Sequence, residues 1–234
     1  MVKLSKRLAA AAALVSGGAR LADVGTDHGY VPIYLIQQQK ISGAIAMDLR
    51  KGPLLRAEEH IRLYGLGSSI QTRLSDGVDA LAPGEADSIL VAGMGGGLVI
   101  HILSRGQEVC RQARELILQP QSELASVRRF LWENHYRADA EEMIFEDGKY
   151  YPMMRVRFVG DIAEEMPSEW ECRYGKLLLE QGHPVLKEYL ERERRIQGEI
   201  LARLTQTAQT PEIMRRIGEV EHTLELNERA LGYW

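Results

Sequence analysis

Cysteine is scarce. Cys110 and Cys172 are the only two in 234 residues, and they lie too far apart in the chain to suggest a disulfide framework or a thiolate metal site. No CxxC pair occurs, and no His, Cys and carboxylate residues fall at ligand spacing, so no metal is expected. Long apolar runs are missing too: nothing approaches the roughly 18 residues that a membrane-spanning helix needs. A cytoplasmic protein with no membrane association is the expectation, and a monomer its expected state. A strong basic excess is also lacking. The net charge is −4, with +1 on residues 1–160 and −5 on residues 161–234. Composition therefore does not announce nucleic-acid binding, and local patches must carry any such role.

What is present is ordinary for a globular protein: 45% hydrophobic and 26% charged residues. Lys3, Lys6 and Arg7 before the apolar run Leu8–Val15 imitate a signal peptide, but cleavage near Gly17 would fall just ahead of the first strand. Leu4, Leu8, Ala11, Ala12 and Val15 instead form a helical stripe with Ser5 as its N-cap. Across residues 1–160, β-rich runs alternate with helical patterns. Strands are predicted at Arg20–Val24, Gly43–Met47, Ile70–Leu74, Ser88–Ala92 and Glu115–Leu118. Helices are predicted at Val31–Gln38, Pro53–Tyr64, Gly97–Ser104 and Ser122–Asn134, with Pro53 at a first helical position and Ser122 as an N-cap. Such alternation predicts an α/β fold, a doubly wound Rossmann-like sheet. Asp147-Gly148 between Asp139–Phe145 and Tyr150–Val159 predicts a closing antiparallel hairpin, as in the class I methyltransferase sheet.

The acidic stretch Asp161–Pro167 marks an expected boundary between a cofactor domain, 1–160, and a C-terminal helical hairpin, 161–234. His183–Gln206 and Pro211–Gly232 are its two predicted helices. Ile213, Ile217, Val220, Leu224 and Leu231 fall at coiled-coil-like spacing opposite Leu186, Tyr189, Leu190, Ile196, Ile200 and Leu204. Thr210-Pro211 is a cap followed by a first helical position.

Ligands of open α/β sheets bind at the carboxyl ends of the strands. The first strand runs into Asp23-Val24-Gly25-Thr26-Asp27-His28-Gly29-Tyr30, and the second ends at Asp48-Leu49, where a carboxylate can accept both ribose hydroxyls. The third is followed by Asp76-Gly77, suited to an adenine edge, and the fourth by Gly93-Met94-Gly95-Gly96-Gly97. A nicotinamide dinucleotide fits this poorly. The first loop lacks GxGxxG, and Asp27 would face pyrophosphate, where like charges about 4 Å apart repel by roughly 4 kcal/mol at an effective dielectric near 20. S-adenosylmethionine carries an ammonium and a sulfonium instead, which suit Asp23 and Asp27. The expected cofactor residues are thus Asp23, Gly25, Thr26, Asp27, His28, Asp48, Leu49, Asp76, Gly77, Gly93, Met94 and Gly95.

Asp23 to Pro32, Ala92-Gly93-Met94-Gly95-Gly96, Leu118-Gln119-Pro120, Gly148-Lys149-Tyr150-Tyr151 and Arg173-Tyr174-Gly175 carry a resemblance over nearly the whole chain. It resembles the bacterial tRNA (adenine-22-N1)-methyltransferase family, departing mildly at Gln121 and Gly29, where Asn and Ala are expected. The resemblance implies S-adenosylmethionine as methyl donor, tRNA as partner and adenine N1 as the target atom. Gly93-Met94-Gly95-Gly96 has neither the acid nor the prolines of the Asn/Asp-Pro-Pro-aromatic motif, which disfavours N6 transfer. Ring N1 has an in-plane lone pair and needs mainly alignment. Asp27 is the expected carboxylate near the reaction, and Tyr30, Met94 and Tyr150 the expected walls of the base pocket. Lys3, Lys6, Arg7, Arg56, Arg128, Arg129, Arg155 and, on the tail, Arg195 are the expected phosphate contacts. Two other functions fit the same sequence: methylation of a small molecule or protein, and a non-catalytic adaptor that keeps the fold and binds a partner through its tail.

Overall fold

The computed structural model describes residues 2–160, 165–207 and 210–234, which fall into two compact units, Met1–Glu165 and Met166–Trp234. The first unit runs α1 (Lys6–Leu14), β1 (Arg20–Val24), α2 (Tyr30–Gln37), β2 (Gly43–Asp48), α3 (Lys51–Leu63), β3 (Ile70–Leu74) and β4 (Ser88–Met94). It continues with α4 (Gly96–Arg105), α5 (Gln107–Gln112), β5 (Glu115–Pro120), α6 (Leu124–Glu133), β6 (Tyr136–Glu146) and β7 (Lys149–Phe158). The second unit holds α7 (Glu169–Tyr174), α8 (Lys176–Glu180), α9 (Pro184–Thr205) and α10 (Pro211–Leu231). The acidic segment expected at the boundary lies partly outside the described residues.

The seven strands are ordered β3-β2-β1-β4-β5-β7-β6, all parallel except β7, which runs antiparallel to β5 and to β6. This is the doubly wound sheet with a closing hairpin that the alternating pattern predicts. Side chains of successive residues point to opposite faces of a strand, and here both faces are apolar. Ala22, Val24, Ile45, Met47, Ile89, Val91, Leu116 and Leu118 meet α4, α5 and α6 on one side. Leu21, Ala44, Ala46, Leu90 and Ile117 meet α1, α2 and α3 on the other. Strands buried on both faces read as continuous apolar runs, which is why the sequence marks them so clearly. The order of connections reverses between β1 and β4, which places a ligand crevice at their carboxyl ends.

Ser5 caps α1, its hydroxyl accepting from Leu8 N at 3.3 Å, as the stripe predicts. Three local expectations need correction. α3 begins at Lys51, so Pro53 sits at the third helical residue. Ser122 does not cap α6: Glu123, in a left-handed conformation with φ 53°, precedes that helix, while the Ser122 hydroxyl accepts from Gly96 N at 3.2 Å across the loops. Ile196 lies on the exposed side of α9 and Glu193 takes the inward place, buried with Leu186 and Leu190. The Glu193 carboxylate accepts from the Tyr174 hydroxyl at 2.7 Å, from Arg173 at 2.9 Å, from Asn227 Nδ2 at 3.0 Å and from the Tyr189 hydroxyl at 3.1 Å. The helix pair α9–α10 is therefore joined by a polar hub as well as by Val220, Leu226 and Ala230. Among the described residues no helix is long and apolar enough to cross a membrane.

Candidate active site

The β1 and β2 ends place two carboxylates side by side. Asp23 is the penultimate residue of β1 and Asp48 the last of β2, with Asp23 in register with Ala46. Both are buried. The Thr26 hydroxyl donates to Asp23 Oδ2 at 2.5 Å. Burial lifts the Asp23 carboxyl to about 6; the Thr26 hydrogen bond opposes this lift and the nearby Asp48 charge adds to it. A carboxylate kept away from water without a cation is poised to receive one. Asp48 Oδ1 accepts from Arg50 N at 2.8 Å. Next to it Leu49 is 63% exposed, an apolar side chain left at the edge of the crevice.

The β1 loop is hung on its neighbour: Gly25 N and Thr26 N both donate to the Met47 carbonyl, at 2.8 and 2.9 Å. Gly25 has φ 74°, and a Cβ there would strike the Met94 methyl. Met94 thus walls the crevice directly over the β1 loop. Gly93, φ 80°, sits at a bulge between β4 and β5 and donates its N–H to Gln119 Oε1 at 3.1 Å. Gly95 precedes α4, whose first N–H groups are held by Ser122 and by Glu123 Oε2 at 2.8 Å from Gly97 N. At the β3 end, Gly77 has φ 56° and packs on Ile102, while Asp76 pairs with Arg105 at 3.1 Å.

The remaining expected residues are drawn together in unforeseen ways. Asp27, φ 49°, binds Arg56 at 2.7 Å and lies 3.3 Å from His28 Nε2. A carboxylate assigned to the reaction and a cation assigned to phosphate therefore meet each other. Tyr30 opens α2, its ring nearly parallel to those of His28 and His60, with centroids 5.2 and 4.9 Å away. His60 Nδ1 lies 3.0 Å from the His28 carbonyl, which can only accept, so that nitrogen carries the proton. Arg128 is half-buried against Glu141 at 2.8 Å, and Arg155 meets Asp139 at 2.6 Å, so both guanidinium groups are already engaged within the fold. Lys3, Lys6, Arg129 and Arg195 are exposed.

Arg7 is the surprise. Its Nη1 donates to Gln119 Oε1 at 2.7 Å, and its guanidinium lies 5.4 Å from the Tyr151 ring centroid, so α1 reaches the β4 loop. Gln119 was not among the expected site residues. Its signal is a fully buried polar residue just after the apolar run Leu116–Leu118, at the carboxyl end of β5.

A Methyltransferase domain family model matches residues 4–154. The tRNA (adenine(22)-N(1))-methyltransferase of Bacillus subtilis is 33% identical over 99% of this chain and 98% of its own length. The chain belongs to that family. The crystal structure of the B. subtilis M1A22 tRNA methyltransferase TrmK matches with a TM-score of 0.86 at 32% identity, covering 98% of this chain and 99% of that one. A structure of the Streptococcus pneumoniae protein Sp1610 in complex with S-adenosyl-L-methionine matches with a TM-score of 0.86 at 29% identity, covering 98% and 100%. The family model lies within the first unit, whereas the matches to these relatives run through both units, including the α9–α10 pair.

Proposed function

We propose that this chain transfers a methyl group from S-adenosylmethionine to N1 of an adenine in tRNA, at position 22 and in the cytoplasm. The observation that carries the donor is the buried pair Asp23 and Asp48 beside Gly25. A carboxyl lifted by burial fits an ammonium, a carboxylate at a β2 end fits a ribose diol, and a Cβ at Gly25 would fill the cradle. Bound there, the donor supplies a methyl group activated on a sulfonium. Asp23 then holds the cationic end, Asp48 the sugar and Leu49 an apolar ring face. Asp76-Gly77 lies within the same row of strand ends for the adenine edge.

On the acceptor side, the Gly93 bulge and Met94 leave a loop without acid or proline, suited to orienting a ring nitrogen rather than deprotonating an amine. Tyr30 and Met94 are the proposed walls of the base pocket. Asp27, tied to Arg56 and His28, supplies negative potential at its rim for the cationic product. The adaptor reading is disfavoured because the charge of a buried Asp23, opposed by desolvation and met by the Thr26 hydroxyl, costs stability, and ligand binding gives that cost a use. Exposed Arg195 on α9, with Arg129, Lys3 and Lys6 on the first unit, is proposed to meet tRNA phosphates.

The test is methyl transfer from labelled S-adenosylmethionine into unmodified tRNA, followed by nucleoside analysis. The expected product is 1-methyladenosine, absent with Asp23→Ala. Binding of the donor without transfer to any tRNA would move the substrate to a small molecule or protein. Failure to bind the donor would overturn the reading. Arg195→Glu is expected to raise KM for tRNA and leave donor affinity unchanged.

A further inference from the structure

β7 runs antiparallel to β5, with Leu118 paired to Met154. Lys149–Pro152 and the opposing end of β6 therefore continue past the carboxyl end of β5, on the same edge as the Gly93 loop. At about 3.4 Å per residue, the Asp147-Gly148 turn stands roughly 14 Å beyond Pro120. Both turn residues are left-handed, φ 49° and 77°, a geometry that continues the twist of the strands and keeps the tip a regular ribbon.

Two contacts tie this ribbon to the reaction centre. Glu146 accepts from Lys6 N at 2.7 Å and from Arg7 N at 3.2 Å, clipping the first turn of α1 to the tip. Arg7 then spans from the Tyr151 ring to Gln119, which holds Gly93 N–H. Glu146 is thereby used on a helix N-terminus, where its charge is compensated. Around it lie Lys6 and Lys149, both exposed, with Asp147 as the opposing charge.

At the same tip, Phe145 and Tyr150 are cross-strand partners with ring centroids 4.6 Å apart, and Phe145 is 41% exposed. N1 lies on the Watson–Crick edge, so the target adenine must be unpaired or swung out of its stack, and its neighbour loses a stacking partner. Side chains alternate faces along a strand, so Lys149, paired with Glu146, and Lys6 lie on the α1 face of the ribbon while the two rings occupy the other face. At a two-stranded tip a single strand can stack a base on the rings and pass its backbone over the end toward the cations.

We propose that the β6–β7 tip is an RNA contact of its own: Phe145, backed by Tyr150, stacks an unpaired base adjacent to the methylated nucleotide, while Lys149 and Lys6, on the opposite face of the tip, take phosphates where the strand passes over its end. This rests on the tRNA reading above. Phe145 and Lys149 are exposed, so their substitution spares the core.

The experiment measures KM for tRNA, its dependence on salt, and donor affinity by calorimetry for wild type, Phe145→Ala, Phe145→Trp and Lys149→Ala. Phe145→Ala is expected to raise KM about fivefold or more, the low end of what one stacked base contributes, and Phe145→Trp to restore it. Lys149→Ala is expected to reduce the slope of log affinity against log salt by about 0.7–0.9, the signature of one lost phosphate contact. Donor affinity stays at the wild-type value throughout. Wild-type KM for Phe145→Ala together with a wild-type salt slope for Lys149→Ala would overturn the proposal while leaving the tRNA reading in place. A wild-type protein that binds donor and methylates no tRNA would remove the reading itself, and the proposal with it.

Discussion

Asp23 should weaken the protein that contains it. Its carboxyl is lifted from 3.8 to about 6, chiefly by burial. The folded chain therefore binds this proton more tightly than the unfolded chain. The corresponding stability is fully present below the unfolded value of 3.8 and is lost as pH rises through about 6. Each tenfold difference in proton affinity between the two states corresponds to about 1.4 kcal/mol, so ionised Asp23 costs the free protein about 3 kcal/mol at pH 8 and about 1.5 at pH 5. Asparagine keeps the size and an oxygen for the Thr26 hydroxyl but carries no charge. Asp23→Asn is expected to unfold at higher denaturant concentration than wild type, with the gap at pH 8 about twice that at pH 5. The same variant should lose donor binding. Urea titrations of the ligand-free protein at both pH values, with calorimetry of donor binding at pH 8, measure each side. A variant no more stable than wild type, or a gap that does not grow with pH, would refute the reasoning. A ligand ammonium reverses the balance, so wild-type donor affinity is expected to fall as pH drops below about 6, by up to about tenfold for each further pH step of one.

Asp48→Asn should lower donor affinity by about 10- to 100-fold, the loss of charge-assisted hydrogen bonds to a diol. It should also move the pH profile of donor binding downward, because Asp48 no longer raises Asp23. Gly25→Ala places a Cβ against Met94 at φ 74°; denaturation should show a loss of about 1–2 kcal/mol from the left-handed backbone alone, and calorimetry a weakened donor site. Glu193→Ala leaves Arg173 and Asn227 without their buried acceptor and should cost about 3–5 kcal/mol. Hydrogen exchange would show that loss in α9 and α10, with the Asp23 site unaffected; Glu193→Gln should restore part of it.

The centre of the sheet was legible because β1, β2, β4 and β5 are largely buried on both faces and β1, β2 and β4 end in residues that do not belong in a core. Asp23, Asp48 and Gly93 each interrupt an apolar run at the edge where ligands sit, which marks the order of loops around the crevice in the sequence itself. α5, α7 and α8 escaped because five or six residues carry too little periodicity to outvote their surroundings. Charge was the least readable feature. Arg56, Arg128 and Arg155 look alike as sequence, yet each is met by a carboxylate 13–29 residues away that the fold brings to it. The same applies to Gln119, whose partner Arg7 lies 112 residues distant. Local pattern specifies which face a residue occupies; it does not specify which opposite charge will be waiting there.

The Arg7 bridge also imposes an order on assembly. Every strand end that would hold the donor, from Asp23 to Gly95, is contributed by the first 95 residues. Arg7 belongs to that early portion, but its anchors Glu146 and Tyr151 lie at the far end of the unit. During synthesis the full set of Arg7 contacts cannot close until Glu146 and Tyr151 have been made. A chain truncated within β6 lacks the anchors of Arg7 and also Met153, Met154 and Val156 of β7, which complete the apolar layers on both faces of the sheet, so the proposed donor loops would stand on an unfinished core beside an unbraced acceptor loop.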